Sequence, residues 1–286
     1  MTTPSAKAAQ HWLPQSYLKF EQLRLRPALE LLGRVPTLPA EGSGEPIQVV
    51  DLGAGTCNMA PAFQQRWPNA NVTFVDTSAS MLEQARKEHA ANDALDASSF
   101  SYLQDSFETF SPSKPVDLVY SNAALHWVSS DLHQQLLPRL LSFLKPGGVL
   151  AFQIPDTRQQ PSHTLIAAAA EQTGLADKVA DVRWVTCERD PSFYYEILKR
   201  ADPDVSLDMW AAVYAQQLEG ENPVADFTAS TAIGPFVEKL GGRGTPDAKT
   251  FEAKYRELIA EAYPKQSDGV TIFNLKRFFV VATKSS

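Results

Sequence analysis

The chain has 286 residues, of which 44% are hydrophobic and 21% charged, so it is long enough to bury a full core in one large domain. Its formal net charge of -7 argues against a nucleic-acid backbone as partner, because such partners select basic surfaces. With no run of roughly 18 apolar residues, no secretory signal pattern and only two cysteines, we expect a cytoplasmic protein that acts on a small molecule.

Strands and helices alternate in the first half of the chain. An amphipathic helix over 14–32 is followed by the linker TLPAEGSGEP. The pattern then predicts strand 47–52, helix 59–67, strand 72–76, helix 79–90, strands 100–104 and 116–122, helix 132–144 and strand 149–154, with KPGG as a glycine stop before the last strand. Strands that read as continuous apolar runs are buried on both faces, and strands joined by helices run parallel. The sequence therefore predicts an α/β doubly wound sheet.

The regular alternation is lost after residue 154. Residues 155–203 are rich in aromatic residues and in both signs of charge. The period-two segment SLDMWAAVYAQQL predicts a strand over 205–218, and helical patterns follow over 222–240 and 246–263. The run TIFNLKRFFVVATK predicts a closing strand over 271–284. We expect a seven-stranded, mostly parallel sheet with a mainly helical cap inserted in the C-terminal half.

A glycine turn, DLGAGTCN, follows the first predicted strand. Gly53 and Gly55 have no side chain, so backbone N–H groups of the turn are expected to approach a ligand closely. A dinucleotide site would need a third glycine where Asn58 stands, which disfavours a pyrophosphate.

Acidic residues lie at the ends of the first three strands. Asp76 is placed to accept hydrogen bonds from ribose hydroxyls, as in NAD and S-adenosylmethionine sites, and Asp105 to accept from an adenine amino group. Burying Asp51 or Asp76 without a partner would cost several kcal/mol, so a purely structural role explains them poorly. The pattern favours a nucleoside that carries a cation over one that carries phosphates.

The motifs VVDLGAGTCN, FVDTSASMLEQAR, LQDS, DLVYSNAALHWV and LKPGGVLAFQIPD together resemble the class I S-adenosylmethionine-dependent methyltransferases. Within that class the chain is most similar to the trans-aconitate 2-methyltransferase group, through YLKFEQLRLRPALELLGRVP, NAALHWVSSDL, QIPDTRQQPSH, FYYEIL and FNLKRFFVVA. It departs from the group's pattern in GAGTCN, at His126, where a glutamine is familiar, and around 177–188. The resemblance implies one Rossmann-like methyltransferase domain over 1–286. Its parts are a helical lid (1–40), a cofactor-binding core (47–154), cap segments (155–204 and 222–268) and closing strands (205–218 and 271–284).

The resemblance also implies S-adenosyl-L-methionine as cofactor. The implied contacts are Gly53, Ala54 and Gly55 at the methionine part, Asp76 and Thr77 at the ribose, Met81, Asp105 and Ser106 at the adenine, Asn122 and Ala123 at the sulfonium, and Tyr17 and Arg26 as a lid over the methionine carboxylate. Two of these have plainer interpretations that stay open. Met81 is as often a core residue, and Arg26 as often a solvated surface charge.

The acceptor is expected to be an anionic small molecule. A carboxylate is ionised at neutral pH and needs no general base, but it needs cations and hydrogen-bond donors. The acceptor-binding candidates are Arg277 first, then His126 and Trp127 beside the methyl group, and His163, Trp184, Arg158 and Arg183 in the cap. His126 is a tentative catalytic residue, and a simple packing role for it remains open.

Three hypotheses about function follow, with a weaker fourth. The first is an O-methyltransferase that esterifies a small polyanionic acid such as trans-aconitate. The second is transfer to a hydroxyl or phenol of a secondary metabolite, with His126 or His163 as base. The third is a non-catalytic, cofactor-binding partner protein, and the fourth a nicotinamide oxidoreductase. The histidines show no ligand spacing and no cysteine pair accompanies them, so no metal is expected.

Overall fold

The computed structural model describes residues 21–183, 190–229 and 231–285, and for 21–24 the backbone only. Across these residues, none of the helices combines the length and the apolar character needed to cross a membrane.

Strands and helices alternate through the first half of the described chain. The helices are α1 (Glu21–Gly33), α2 (Ala60–Arg66), α3 (Ala79–Ala90) and α4 (Ser130–Ser142). The strands are β1 (Gln48–Leu52), β2 (Asn71–Asp76), β3 (Phe100–Gln104), β4 (Val116–Asn122) and β5 (Leu144–Pro155), and short 3-10 turns lie at Ala97–Ser99 and Leu125–Trp127. The predicted bounds of α3, β3 and β4 are confirmed.

The second half adds two long strands and several helices. They are α5 (Pro161–Gln172), α6 (Ala176–Val179), α7 (Pro191–Ala201), β6 (Ser206–Leu218), α8 (Pro223–Ala229), α9 (Gly234–Lys239), α10 (Pro246–Ala262) and β7 (Thr271–Thr283). The helix predicted over 222–240 is two helices, because Gly234 and Pro235 begin a new helix.

The strands form one seven-stranded sheet in the order β3-β2-β1-β4-β5-β7-β6. The pairs β1–β2, β1–β4, β2–β3 and β4–β5 are parallel, so the predicted doubly wound sheet is confirmed. From β1 to β3, successive strands are added on one side of β1. After β3 the chain crosses over, and β4 lies on the other side of β1, so the switch point of the sheet is between β1 and β4. Ligands of such sheets bind beyond the carboxyl ends of the strands at this switch point.

Buried aromatic side chains hold helices to this sheet. Tyr120 on β4 is fully buried, its ring meets Phe63 of α2 edge-on at 5.2 Å, and its hydroxyl donates to the Ala28 carbonyl of α1 at 2.7 Å. Each such ring stabilises the fold by about 1.5–3 kcal/mol through burial. β4 is buried along all but its last residue, so the loop that follows it is anchored to a strand in the core.

The predicted stop at KPGG is wrong. Helix α4 already ends at Ser142, and β5 runs through these residues from Leu144. Gly147 N donates to Lys284 O at 3.1 Å, and Lys284 N donates to Gly148 O at 2.9 Å. Pairing with the far end of the chain therefore draws the glycines into the strand, which local sequence could not indicate.

The chain divides into two compact units. The first unit comprises Arg24–Ile154, Glu188–Ala211 and Arg277–Ser286, and the second unit comprises Met1–Leu23, Pro155–Cys187 and Ala212–Lys276. In the second unit α10 packs along α5, and Tyr255 of α10 donates to the Ser162 carbonyl at 2.7 Å.

Candidate functional site

The turn after β1 uses its own N–H groups inside the protein. Gly53 N and Ala54 N both donate to the Val75 carbonyl, at 2.8 and 3.0 Å, and Gly55 N donates to Asp76 Oδ2 at 2.8 Å. The end of β2 thus already accepts the N–H groups of Gly53, Ala54 and Gly55, and the expectation that N–H groups of this turn approach a ligand stays a prediction. The carbonyl oxygens of the turn and the carboxylates beside it are acceptors that suit a cation.

The glycines of the turn are required by its geometry. Gly53 has a φ of +78°, and a Cβ built on it would lie 2.4 Å from Ala124 Cβ and 3.0 Å from Phe107 Cζ. Gly55 has a φ of +56°, and a Cβ there would meet no heavy atom within 4 Å. The turn therefore packs closely against the loop after β4 on one side and is open on the other.

A buried acid lies directly before this turn. Asp51 is 3% exposed, and burial, with a smaller contribution from the charge of Asp76, raises its pKa to about 8. At neutral pH its carboxyl group is mostly protonated. A cation bound nearby would stabilise the ionised form, so the group is well suited to a positively charged ligand and poorly suited to a phosphate.

Asp76 and Asp105 lie side by side at the ends of β2 and β3. Asp105 N donates to the Asp76 carbonyl at 3.1 Å. Asp76 Oδ1 accepts from Ser78 N and its Oδ2 from Gly55 N, each at 2.8 Å, while Asp105 Oδ1 accepts from Ser106 N at 2.8 Å and from the Thr109 hydroxyl. Because each carboxylate oxygen has two lone pairs, Asp76 keeps one on each oxygen for further donors.

The loop after β4 contains a strained residue. Ala123 has a φ of +51°, and its N–H donates to the Gln153 carbonyl of β5 at 3.0 Å. Such a conformation costs a non-glycine residue about 1–3 kcal/mol and is concentrated at functional sites. The Gln153 amide, 1% exposed, also donates to Asn122 Oδ1 at 2.6 Å and so fixes the orientation of that side chain. Sequence reasoning missed Gln153, although a single amide in the apolar run VLAFQIP is a usable signal.

His126 and Trp127 belong to the 3-10 turn Leu125–Trp127. His126 is 7% exposed, and its ring centroid lies 5.3 Å from that of Trp127. The buried His133 of α4 holds this turn, since its Nε2 lies 2.9 Å from the Leu125 carbonyl. The role of His133 in supporting the turn depends on tertiary structure, because the two groups are eight residues apart and lie on different elements.

The other predicted cofactor contacts are placed as follows. Thr77 is half-buried and its carbonyl accepts from the Gln104 amide at 3.1 Å, and the Ser106 hydroxyl lies 2.9 Å from that of Thr109. Met81 is half-buried, not part of the core, and Arg26 is exposed on α1. Tyr17 lies outside the described residues.

The predicted acceptor-binding residues lie in both units. Arg277 in the first unit is 6% exposed on β7. In the second unit, His163 lies in the first turn of α5 with its Nδ1 3.1 Å from the Ser162 hydroxyl, Arg158 pairs with Asp156, and Arg183 is half-buried. Trp184 lies outside the described residues. Over 21–183, 190–229 and 231–285, no three histidine, cysteine or acidic side chains are grouped so as to hold a metal ion.

Known proteins resemble this chain in sequence and in fold. Residues 49–148 match the model of the family described as "Methyltransferase domain". The chain is 36% identical over 280 residues to a trans-aconitate 2-methyltransferase of Streptomyces avermitilis, covering 98% of this chain and 99% of that protein. It is 37% identical over 278 residues to one of Paracidovorax citrulli, covering 96% and 99%. Among solved structures, the cyclopropane synthase MmaA2 of Mycobacterium tuberculosis superposes with a TM-score of 0.56 at 16% identity, over 98% of this chain and 99% of that one, which shows a shared fold.

Proposed function

Because the chain belongs to the trans-aconitate 2-methyltransferase family of S-adenosylmethionine-dependent methyltransferases, we propose that it esterifies one carboxylate of trans-aconitate or a closely related polyanionic acid. The protein is an enzyme, and S-adenosyl-L-methionine is its cofactor. The observation that carries the proposal is the full-length match at 36% identity, which covers 98% of this chain and 99% of that protein.

The first unit has the chemistry that this cofactor requires. When bound, S-adenosylmethionine supplies a methyl carbon on a sulfonium, whose sulfur takes the C–S electron pair as the bond to the acceptor oxygen forms. The turn after β1 supports binding of such a cation, because the N–H groups of Gly53, Ala54 and Gly55 are used internally while Asp51 and Asp76 lie beside the turn. Both facts disfavour a phosphate-bearing cofactor.

We assign the individual contacts on the same grounds. Asp76, with a lone pair left on each oxygen, would accept the two ribose hydroxyls, with Thr77 beside it. Met81, Asp105 and Ser106 would contact the adenine. Gly53, Ala54 and Gly55 would contact the methionine part, and Tyr17 and Arg26 would cover its carboxylate. Asn122, held by Gln153, and the strained Ala123 would lie beside the sulfonium.

The acceptor requires little proton chemistry from this chain. Its carboxylate, with a reference pKa of about 4, is already ionised at neutral pH and needs no general base. The protein must instead align the two reactants and exclude water. We propose that His126 and Trp127 line the methyl-transfer position and that Arg277, with Trp184 and His163, binds the acceptor.

The location of the reaction is part of the proposal. Cys57 is a free, fully buried thiol, which fits a reducing compartment such as the cytoplasm. A small anionic acceptor, and no nucleic acid, agrees with the net charge of -7.

Incubation with methyl-labelled cofactor and a panel of small acids and phenols tests the proposal. We expect one label per molecule of trans-aconitate, recovered as a methyl ester that mild base hydrolyses, and turnover that varies little between about pH 6 and 8. Label in a phenol ether, with turnover that rises steeply through that range, would support the alternative in which His126 or His163 acts as base. Cofactor binding without any labelled product would support a non-catalytic partner protein.

A further inference from the structure

A cavity of about 520 Å³ lies within the second unit. Its floor consists of three alternate residues at the start of β7, Ile272, Asn274 and Lys276, together with Val213 of β6. Its walls are the segment after β5, which leads into α5, and the segment after α10. The lining residues that carry polar groups are Asp156, Arg158, Gln159, Gln160, Tyr263, Gln266, Asn274 and Lys276.

The charges of this cavity are organised around one carboxylate. The Asp156 side chain is 7% exposed and accepts from Arg158 Nε at 2.8 Å, from Arg158 Nη2 at 3.0 Å and from Lys276 Nζ at 3.0 Å. Burial alone would raise the pKa of Asp156, but the hydrogen bonds from Arg158 and Lys276 outweigh it and hold the pKa below its usual value. Asp156 is therefore ionised at neutral pH. The described residues that line the cavity include two cations, one anion and otherwise neutral side chains, which sum to a charge of +1.

Hydrogen bonds between distant segments hold the cavity in shape. Asp156 N donates to the Lys276 carbonyl at 2.9 Å, the Gln160 amide donates to the Asn274 carbonyl at 2.6 Å, and Ser162 N donates to the Tyr263 hydroxyl at 3.1 Å. The cationic groups are thus positioned before any ligand arrives, which reduces the entropy that binding must overcome.

We propose that this cavity is a binding site for a small di- or tricarboxylate, with Lys276 and Arg158 as its cationic contacts and Asp156 as a carboxylate that partly neutralises them. An ammonium group has three donors, and Asp156 accepts one from Lys276. The amides of Gln159, Gln266 and Asn274 supply neutral donors for further carboxylate oxygens. The volume lies within the range of small-molecule sites, about 300–1,000 Å³. The anion class rests on the cavity alone, and the choice of trans-aconitate as first probe rests on the proposed function.

Calorimetry on the full chain without cofactor tests the site. We expect saturable binding of trans-aconitate that Lys276→Gln weakens about tenfold, an effect of one charge-assisted contact. Lys265→Gln is the matched control, because Lys265 is an exposed lysine of the same unit that does not line the cavity. Asp156→Asn should change the affinity in the opposite direction, since it raises the net charge to +2, and a misfolded variant could not imitate this gain.

Three outcomes would overturn the inference. They are equal affinity in the wild type and Lys276→Gln, equal binding of the neutral trimethyl ester of trans-aconitate, and tighter binding of inorganic phosphate than of the tricarboxylate. A parallel methyl-transfer assay separates this inference from the proposed function. If the protein forms labelled ester but its affinity for trans-aconitate does not depend on Lys276, the inferred binding site is wrong and the proposed function stands. If the affinity depends on Lys276 but the protein labels no acid, the inferred binding site stands and the proposed function is wrong.

Discussion

Two buried aspartates, one in each unit, have opposite environments. Asp51 of the first unit is 3% exposed, and burial with the nearby charge of Asp76 raises its pKa to about 8. Asp156 of the second unit is 6% exposed, but the hydrogen bonds from Arg158 and Lys276 hold its pKa below the usual value. In the part of the chain that the structure describes, no cation pairs with Asp51, whereas two pair with Asp156. The two aspartates are buried to a similar degree, but their pKa values are shifted in opposite directions. The charges of the neighbouring side chains therefore decide the protonation state of a buried carboxyl group.

The largest expected effect that sharpens this comparison is the pH dependence caused by Asp51. Its pKa is near 4 in the unfolded chain and about 8 in the folded one, so the folded state holds more protons between these values. The free energy of unfolding should therefore fall by about 1.4 kcal/mol per pH unit over that interval because of this group. In Asp51→Asn the decline should be absent. Urea unfolding of the cofactor-free protein at a series of pH values measures it.

The exposed Asp93 of the same unit provides the control, since Asp93→Asn should keep the wild-type slope. If Asp51→Asn had the same slope as the wild type, Asp51 would not be a raised-pKa carboxyl group and the contrast with Asp156 would disappear.

Gly53→Ala should have the next largest effect. A side chain would combine a positive φ, which costs about 1–2 kcal/mol, with overpacking against Ala124 Cβ at 2.4 Å, which costs about 1–3 kcal/mol. We expect a loss of about 2–4 kcal/mol in stability and no measurable cofactor binding. Gly33→Ala, at an open helix position, should leave cofactor binding unchanged and should not lower stability. Normal folding and binding of Gly53→Ala would show that the turn is looser than its packing indicates.

Asp76→Ala should weaken cofactor binding by about 1–3 kcal/mol, through loss of charge-assisted hydrogen bonds to the ribose. Titration calorimetry with S-adenosylmethionine and with its demethylated product measures this loss. Urea unfolding of the same variant measures the loss of stability that follows when the N–H groups of Gly55 and Ser78 lose their acceptor. Unchanged affinity would remove Asp76 from the ribose site.

Asp156→Asn should have the smallest effect, about 1 kcal/mol of stability at pH 7, because its cationic partners are partly solvated. The sign of its pH dependence is opposite to that of Asp51. With a folded-state pKa below the unfolded value, Asp156 stabilises the protein above about pH 4, and this contribution is lost as the pH falls through the folded pKa. Unfolding at pH 3 and pH 7 should therefore give a larger difference between wild type and variant at pH 7 than at pH 3. A difference that grows on acidification would contradict the ion-paired description.

Much of the first unit was predictable from its sequence. The bounds predicted for α3, β3 and β4 are confirmed because local patterns determine them: Ser78 caps α3, and β4 is a continuous apolar run. Asp76 and Asp105 were correctly placed at neighbouring strand ends, since parallel strands bring their carboxyl ends to one edge of the sheet.

Sequence reasoning fell short where a partner is distant in the sequence. Val75 and Asp76 of the next strand accept the N–H groups of Gly53, Ala54 and Gly55, which the sequence of the turn does not indicate. KPGG was expected to end a helix, but it pairs with Lys284. Neither partner is visible in the local pattern of the segment that it contacts.

The sequence by itself determined the alternation of strands and helices in the first half and the acids at the ends of its strands, because these follow from hydrophobic periodicity and residue type within short windows. Only the tertiary structure decided which hydrogen-bonding groups remain for a ligand. It joins Gln153 to Asn122, His133 to the Leu125 carbonyl and Lys276 to Asp156. The physical reason is that the protonation and availability of a polar group depend on its burial and its nearest charges, and folding sets both.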